Sequence, residues 1–140
     1  MSTAPLDRLV HYFETLDRAG VASIGEYYSA DAWFKDPFNE VRGAAAIGAI
    51  FAHMFDQVEA PRFVVKGRVG DVPEAFLIWD LEFRFRGRPA LECIHGVSHL
   101  RFGADGRVTY HRDYWDTAEE LYAKLPGLGI AVRWLQRRAR

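Results

Sequence analysis

The spacing of apolar residues changes once along this chain, and that change constrains the fold more than any other feature. The first segment carries apolar residues at the i, i+3, i+4, i+7 positions of one helix face: Leu6, Leu9, Val10, Phe13 and Leu16. A later segment places apolar residues at every second position, the period of a strand: Leu77, Trp79, Leu81, Phe83 and Phe85. A run of helices followed by a run of strands is typical of an α+β domain with helices on one face of a sheet.

Two short helices are predicted near the N-terminus. The first begins at Thr3 or Pro5, since proline is favoured in the first helical turn, and it ends near Gly20. The second covers Ile24–Tyr28, where the hydroxyl of Ser23 is available as a cap. The apolar face of the first helix predicts that it packs against the sheet.

An aromatic segment separates these helices from a third one. Residues 33–38 read WFKDPF, and Asp36 precedes a proline, a position that disfavours helical geometry. We therefore expect Asp36 to be extended. A third helix is predicted after Gly43, where the apolar residues again follow a helical spacing. This stripe consists of Ile47, Ile50, Phe51, Met54 and Phe55.

Strands are predicted in the second half of the chain, where β-branched and aromatic residues are frequent. Their ranges are residues 62–69, 77–85, 91–102 and 107–115. A turn is expected at residues 87–89, and the pair Asp105-Gly106 is a strong hairpin signal. The predicted fold class is α+β, with a curved antiparallel sheet packed on three N-terminal helices, in a single domain over residues 1–140.

A helical extension is predicted after the last strand. Thr117 is placed to cap a short helix, Pro126-Gly127 breaks it, and Leu128–Arg140 then forms an amphipathic helix that ends in several arginines. Positive charge near a helix C-terminus is favourable in itself, so a solvated basic face explains this pattern without a partner. Contact with an acidic surface is the alternative.

Composition and charge exclude several classes of function. Lys and Arg number 18 and Asp and Glu number 19, so the net charge is −1 and no nucleic acid is expected as a partner. No stretch reaches the about 18 apolar residues that a membrane span requires. The first residues do not resemble a secretory signal, so a cytoplasmic location without membrane contact is expected.

The spacing of cysteine and histidine gives no sign of a metal site. Cys93 is the single cysteine, which excludes an internal disulfide and a paired-cysteine motif. His95 and His99 share one face of a predicted strand but lie about 13 Å apart, too far to bind one ion. No glycine-rich phosphate loop is present either. A metal site built from scattered ligands stays open, but the sequence gives no positive sign of a metal or a cofactor.

Polar residues inside apolar segments are the candidates for chemistry. Tyr12 adjoins the buried face of the first helix, and Asp36 lies between two phenylalanines. On the last strand His111, Asp113 and Trp115 share one face, so an inward Trp115 would direct the other two inward as well. In an Asp–His pair each buried side chain has the other as its hydrogen-bond partner, and the pair can also transfer a proton.

Each candidate also has a purely structural interpretation. Asp36 before a proline is suited to start a turn. Tyr12 is suited to a core position in which its hydroxyl is hydrogen-bonded. Asp113 and His111 could stabilise each other without doing chemistry. The residues alone leave these alternatives open.

The order of elements and several short motifs resemble the nuclear transport factor 2-like superfamily, and within it the ketosteroid isomerase and SnoaL-like branch. The resemblance covers roughly residues 5–118. Its most specific part runs from Tyr12 through Tyr28-Ser-Ala-Asp to Lys35-Asp36-Pro37-Phe38. The end of one strand at residues 100–102 and the pair Tyr114-Trp115 also match the family pattern.

This resemblance implies a cone-shaped fold that is open at one end, with a cavity between the curved sheet and the helices. Such a cavity takes an apolar small molecule. The residues expected to contact it are Ser98, Trp115, Trp79, Phe51 and Phe83. Many members pair through the outer face of the sheet, so a homodimer is implied.

Two kinds of chemistry follow from the resemblance. In the isomerases a carboxylate removes a proton beside a carbonyl and two donors hold the oxyanion, which implies Asp36 as base, Tyr12 as one donor and Ser98, a weaker donor, in the second position. In SnoaL-like cyclases an inward aspartate on another element serves as acid and base, which fits Asp113 with His111. The inward Asp–Arg–Asp set of related epoxide hydrolases is not evident here.

Three functions are compatible with this sequence. The first is a cavity enzyme that isomerises, enolises or cyclises an apolar carbonyl compound without a cofactor. The second is a protein that binds a hydrophobic molecule without changing it, and the third is a protein-interaction module. The polar residues within apolar segments favour the first two over the third, because an interaction module has no need of them.

Overall fold

The chain forms five helices and six strands among residues 4–121 and 127–139, the residues that the computed structural model describes. The helices are α1 (Pro5–Glu14), a 3₁₀ helix (Ala19–Glu26), α2 (Ala44–Gln57), α3 (Thr117–Glu120) and α4 (Leu128–Ala139). The strands are β1 (Tyr28–Lys35), β2 (Glu40–Arg42), β3 (Val58–Asp71), β4 (Glu74–Phe85), β5 (Glu92–Phe102) and β6 (Val108–Tyr114). The α+β class and the curved sheet are thereby confirmed.

The six strands form one sheet in the order β2-β1-β6-β5-β4-β3. Strands β3 to β6 make the antiparallel meander that the sequence predicts. Strand β1 joins this meander in parallel with β6, so that Phe34 lies opposite His111 and Lys35 opposite Arg112. The same register places Asp36, the next residue, beside the end of β6.

Several local predictions were wrong, each for an identifiable reason. The second helix is a 3₁₀ helix that ends at Glu26, and Tyr28 begins β1 instead of ending a helix. The short strand β2 has three residues, too few for an alternating pattern to reveal it. The cap of α3 is Asp116, whose carboxylate accepts two backbone N–H groups of that helix, and not Thr117. Pro126 and Arg140, in the predicted C-terminal extension, lie outside the described residues.

The core lies between the inner face of the sheet and the helices α1 and α2. Helix α1 ends at Glu14, earlier than the predicted end near Gly20, so Leu16 of the predicted face lies beyond it, while Leu6, Leu9, Val10 and Phe13 are buried as predicted. Strand β4 buries Leu77, Trp79 and Phe83 on one side. Helix α2 is less completely packed, because Ile50 and Met54 from its apolar stripe border an open cavity. None of the described helices is both long enough and apolar enough to cross a bilayer.

Candidate active site

An apolar cavity of about 550 Å³ lies between α2 and the inner face of the sheet. Its volume falls within the roughly 300–1,000 Å³ of ordinary small-molecule sites. Aromatic side chains make much of the wall: Phe34, Phe38, Phe51, Phe63, Trp79, Phe83, Phe85 and Trp115. Four of the five residues that the sequence predicts as ligand contacts, namely Phe51, Trp79, Phe83 and Trp115, therefore line this cavity.

A few polar side chains interrupt the apolar wall. Among the described residues they are Asp36, Asn39, His53, Gln57 and Asp113. Asp36 and Asp113 also border an open groove next to the cavity. The two carboxylates thus lie where the cavity meets the groove, as expected from the pairing of β1 with β6.

Asp113 is held by hydrogen bonds on one of its two oxygens. Its Oδ1 accepts the hydroxyl of Ser98 at 2.5 Å and is 2.6 Å from Nε2 of His111. Ser98 in turn accepts the indole N–H of Trp79 at 2.8 Å. The described residues offer Oδ2 of Asp113 no hydrogen bond, so one carboxylate oxygen is fixed while the other stays available at the cavity.

Behind this aspartate, a fully buried tyrosine completes the network. The hydroxyl of Tyr28 is 2.6 Å from Nδ1 of His111, and Tyr28 is 0% and His111 2% exposed. No other described residue is a partner for this hydroxyl, so the phenol proton has to point at Nδ1. His111 then carries its own proton on Nε2 and donates it to Asp113. The hydrogen bond from Tyr28 therefore favours the His111 tautomer that is protonated on Nε2 and donates to Asp113.

Electrostatics keep the proton on Tyr28. Burial, and after it the negative charge of Asp113, raise the pKa of Tyr28 well above its usual value. An ionised phenol at this position would lie among apolar rings with a carboxylate nearby, which is costly. Tyr28 is therefore a donor to His111 across the physiological pH range.

The strand register explains why these side chains meet. Ser98 of β5 lies opposite Asp113 of β6, and Leu77 of β4 lies opposite Ser98 on its other side. Trp79 lies opposite Gly96, and a Cβ atom at Gly96 would be only 2.4 Å from the Trp79 ring. The absence of a side chain at Gly96 lets the indole lie across β5 and reach Ser98.

Two of the predicted catalytic residues have other contacts. Tyr12 donates its hydroxyl to the carbonyl of Gly20 at 2.9 Å and stacks on Tyr27, and it is not among the residues that line the cavity. This geometry matches the structural interpretation of Tyr12 and gives no support to its role as an oxyanion donor.

Asp36 lines the cavity but is engaged in a turn. Its Oδ1 accepts the backbone N–H groups of Phe38 and Asn39 at 2.8 and 2.7 Å, and Oδ2 is 3.2 Å from the Asn39 side-chain amide. Ser98, predicted to contact the ligand, is not among the residues that line this cavity; it lines a small neighbouring cavity and bridges Trp79 to Asp113. Of these two carboxylates, Asp113 is therefore the one with an oxygen that accepts no hydrogen bond from the described residues.

Sequence reasoning missed four residues that the structure brings into the site. Tyr28 and Gly96 support it from behind, and His53 and Gln57 line the cavity from α2. The last two are spaced i, i+4 on one helix face beside Ile50 and Met54, a signal that could have found them. No comparable signal exists for Tyr28 or Gly96, because both depend on strand register.

The two buried tyrosines predict a loss of stability in alkali. Burial raises the pKa of Tyr12 to about 12 and raises the pKa of Tyr28 well above its usual value, whereas an unfolded tyrosine ionises near pH 10. Between these values the folded state binds more protons than the unfolded state, so the free energy of unfolding falls as pH rises above about 10.

Urea unfolding between pH 8 and pH 11.5 measures this effect. Tyr12→Phe and Tyr28→Phe should each flatten the decline, while Tyr114→Phe, at an exposed tyrosine, should leave it unchanged. A wild-type free energy of unfolding that stays constant up to pH 11.5 would contradict the prediction.

Comparison with solved structures places this fold among the nuclear transport factor 2-like folds. A protein of unknown function from Burkholderia pseudomallei K96243 gives a TM-score of 0.72 at 14% identity, covering 84% of this chain and 95% of that chain. A Shewanella denitrificans OS-217 protein, named for its likeness to SnoaL-like polyketide cyclases, gives 0.67 at 20% identity, covering 86% and 99%. An epoxide hydrolase of the LEH-like type from M. tuberculosis gives 0.67 at 13% identity, covering 94% and 89%. Identities this low show the fold alone.

The family is shown by the sequence itself. The model of the SnoaL-like domain matches residues 9–111, most of the chain, and this protein belongs to the SnoaL-like domain family. No curated protein sequence matches it. Among the described residues that line the cavity there is no arginine, so the Asp–Arg–Asp arrangement of the epoxide hydrolases is not formed there.

Proposed function

We propose that this protein is an acid/base enzyme that enolises an apolar carbonyl compound, leading to isomerisation or ring closure, with Asp113 as the general base. One observation carries the proposal. Asp113 lines an apolar cavity, one of its oxygens is held by Ser98 and His111, and the other has no partner among the described residues. A positioned carboxylate at a desolvated site is the arrangement that proton abstraction requires.

The reaction would begin with proton transfer to Oδ2 of Asp113 from the carbon beside the substrate carbonyl. The electron pair of the broken C–H bond moves into a carbon–carbon double bond, and the carbonyl oxygen becomes an enolate. Asp113 then returns the proton to a different carbon, which isomerises the substrate. Alternatively the enolate carbon attacks a second carbonyl of the same molecule, which closes a ring, and Asp113 returns its proton to the alkoxide oxygen formed from that carbonyl.

The enolate oxygen needs hydrogen-bond donors. Tyr12 lies elsewhere, and the polar side chains that line the cavity opposite the sheet are His53 and Gln57 of α2. We propose that one of these two donates to the oxyanion, a contribution typically worth ~10²-fold or more in rate. Their position on a helix, one turn apart, directs both toward the same region.

The choice of Asp113 over Asp36 rests on hydrogen bonding. Asp36 has both oxygens engaged by its own turn, whereas Asp113 has one free. The same cavity could also bind a hydrophobic molecule without turnover, and the experiment below separates the two functions. A homodimer and a cytoplasmic location stay predictions of the sequence.

The test is exchange of solvent deuterium into the α-carbon of apolar ketones, followed by NMR. The probes are 2-tetralone and larger fused-ring ketones sized to the cavity, and binding is measured in parallel by thermal shift. Wild type should accelerate exchange, and Asp113→Asn should lower the rate to that of buffer while the ligand still binds. Asp36→Asn, which keeps an acceptor for the turn, and Asp80→Asn, on the opposite sheet face, should retain exchange.

Other outcomes have defined meanings. Binding of the probes without exchange by wild type would favour the non-catalytic ligand-binding function. Loss of exchange in Asp36→Asn but not in Asp113→Asn would transfer the role of base to Asp36 and overturn the proposal. Neither binding nor exchange by any apolar ketone would contradict both functions.

A further inference from the structure

A second cluster of reactive side chains lies on the opposite face of the sheet from the cavity. It consists of Asp80 on β4 with Cys93 and His95 on β5, and one ligand atom from each lies within 4.8 Å of the others. We propose that these three side chains form a binding site for a divalent transition-metal ion of the zinc class. The sequence predicted no metal, because histidine spacing along one strand does not show what a neighbouring strand contributes.

Strand geometry builds the cluster. Cys93 and His95 are two residues apart on β5 and therefore point to the same face. Asp80 lies directly opposite His95 in the β4–β5 register. Their neighbours Leu81 and Ile94 line the cavity, so the cluster is separated from it by the thickness of the sheet. Two ligands from one strand and one from the next can converge on one ion without distorting the backbone.

The distances are close to those of a metal site. Nδ1 of His95 is 2.6 Å from Oδ1 of Asp80 and 3.9 Å from Sγ of Cys93. With bonds of about 2.0 Å to nitrogen and oxygen and about 2.3 Å to sulfur, tetrahedral coordination puts such atoms about 3.3–3.6 Å apart. The histidine–aspartate contact has to widen and the histidine–cysteine contact to close, each by well under 1 Å.

The surroundings favour a cation held by these atoms. Thiolate, imidazole and carboxylate together are the donor set that zinc prefers. Glu120 accepts the backbone N–H of His95 at 3.2 Å, which fixes the strand at one ligand. Lys66 is 3.8 Å from Oδ2 of Asp80, whereas His95 contacts the other oxygen, Oδ1, so the lysine does not occupy the oxygen that faces His95. Solvent would complete the coordination of the ion.

A second histidine on the same face of β5 as His95 provides a matched control for metal binding. His99 is 2.7 Å from Oε2 of Glu74, so it too is a histidine–carboxylate pair. It has no thiol beside it, and Arg101 donates to the same carboxylate oxygen at 2.9 Å, which places a positive charge where an ion would bind. Metal binding that depends on His95 and not on His99 would therefore identify the cluster.

Cobalt is the probe, because a Co²⁺–thiolate bond gives a near-ultraviolet charge-transfer band. The untagged, reduced full-length protein is titrated with Co²⁺ in the absence of oxygen, and Zn²⁺ is then added in competition. Wild type should bind one Co²⁺ per chain with this band, and Zn²⁺ should displace it. Cys93→Ser should lose the band, and His95→Ala and Asp80→Asn should each weaken Co²⁺ binding at least tenfold.

His99→Ala and Asp113→Asn should bind Co²⁺ as wild type does, the second because this site does not depend on the proposed catalytic one. Circular dichroism checks that each variant is folded, and Cys93→Ala repeats the test with a smaller side chain. The proposal fails if wild type shows no charge-transfer band. It also fails if binding is weak, involves several ions and is unchanged in His95→Ala, which would indicate an adventitious ion only.

Discussion

Replacing His111 with alanine should destabilise the protein by about 4 kcal/mol, measured by urea unfolding at pH 7. The imidazole is almost fully buried and packs against Phe13 and Phe34, so truncation leaves a cavity that typically costs about 2–5 kcal/mol. It also removes the partner of the Tyr28 hydroxyl, and an unsatisfied buried hydroxyl costs about 1–3 kcal/mol. Every buried side-chain nitrogen or oxygen in the described residues already has a hydrogen-bond partner. None is therefore left over to accept the Tyr28 hydroxyl once His111 is removed.

A double-mutant cycle separates the two contributions. In the wild-type background Tyr28→Phe removes a hydrogen bond and should destabilise the protein by about 1 kcal/mol. In the His111→Ala background it removes an unpaired hydroxyl and should instead restore about 1 kcal/mol. The coupling energy should therefore reach about 2 kcal/mol. Equal costs of Tyr28→Phe in the two backgrounds would show that Tyr28 and His111 do not act together.

Gly96→Ala is the second substitution with a large expected effect. The added Cβ would lie 2.4 and 2.5 Å from two ring atoms of Trp79, closer than the 3.0 Å below which Cβ contacts are essentially never found. The indole has to move, and overpacking of this kind typically costs about 1–3 kcal/mol. Movement also breaks the bond from Trp79 to Ser98, which supports Asp113, so stability and deuterium exchange should both fall.

Gly67→Ala is the matched control for this change. Gly67 also lies in a strand, but a Cβ there would be 3.8 Å from its nearest neighbour, Ile78, an ordinary contact. Gly67→Ala should therefore change the free energy of unfolding little. In addition, Trp79→Phe should recover stability in the Gly96→Ala background, because the smaller ring relieves the overlap. Near-ultraviolet circular dichroism follows the tryptophan environment, and an unchanged spectrum in Gly96→Ala would contradict the account.

The sequence was informative where local pattern decides structure. The alternation of β4 and the shared face of His111 and Asp113 could both be predicted, since each depends only on the two-residue period of a strand. Phe34 and Phe38 were not predicted to border the cavity, yet both line it together with Asp36. Asp36 illustrates the limit, because both a turn and a catalytic role fit an aspartate before proline.

Residues that depend on register between distant strands could not be predicted. Tyr28 looked like the end of a helix, and only the parallel pairing of β1 with β6 carries its hydroxyl to His111. The need for glycine at position 96 follows from Trp79 on the neighbouring strand. For Tyr12 a family pattern suggested an oxyanion donor and the local pattern suggested a core tyrosine, and its hydroxyl donates to the Gly20 carbonyl.

The position of β6 between β1 and β5 has a consequence for synthesis on the ribosome. The hydrogen bond from Tyr28 to His111 joins residues 83 positions apart, and the strand that carries His111 is the last of the six to emerge. In the finished sheet β6 is the strand that joins β3–β5 to β1 and β2, so these two groups of strands have no common neighbour before β6 is made. Asp113 and the groups that hydrogen-bond to it therefore come together in one late step, after the other five strands have been made.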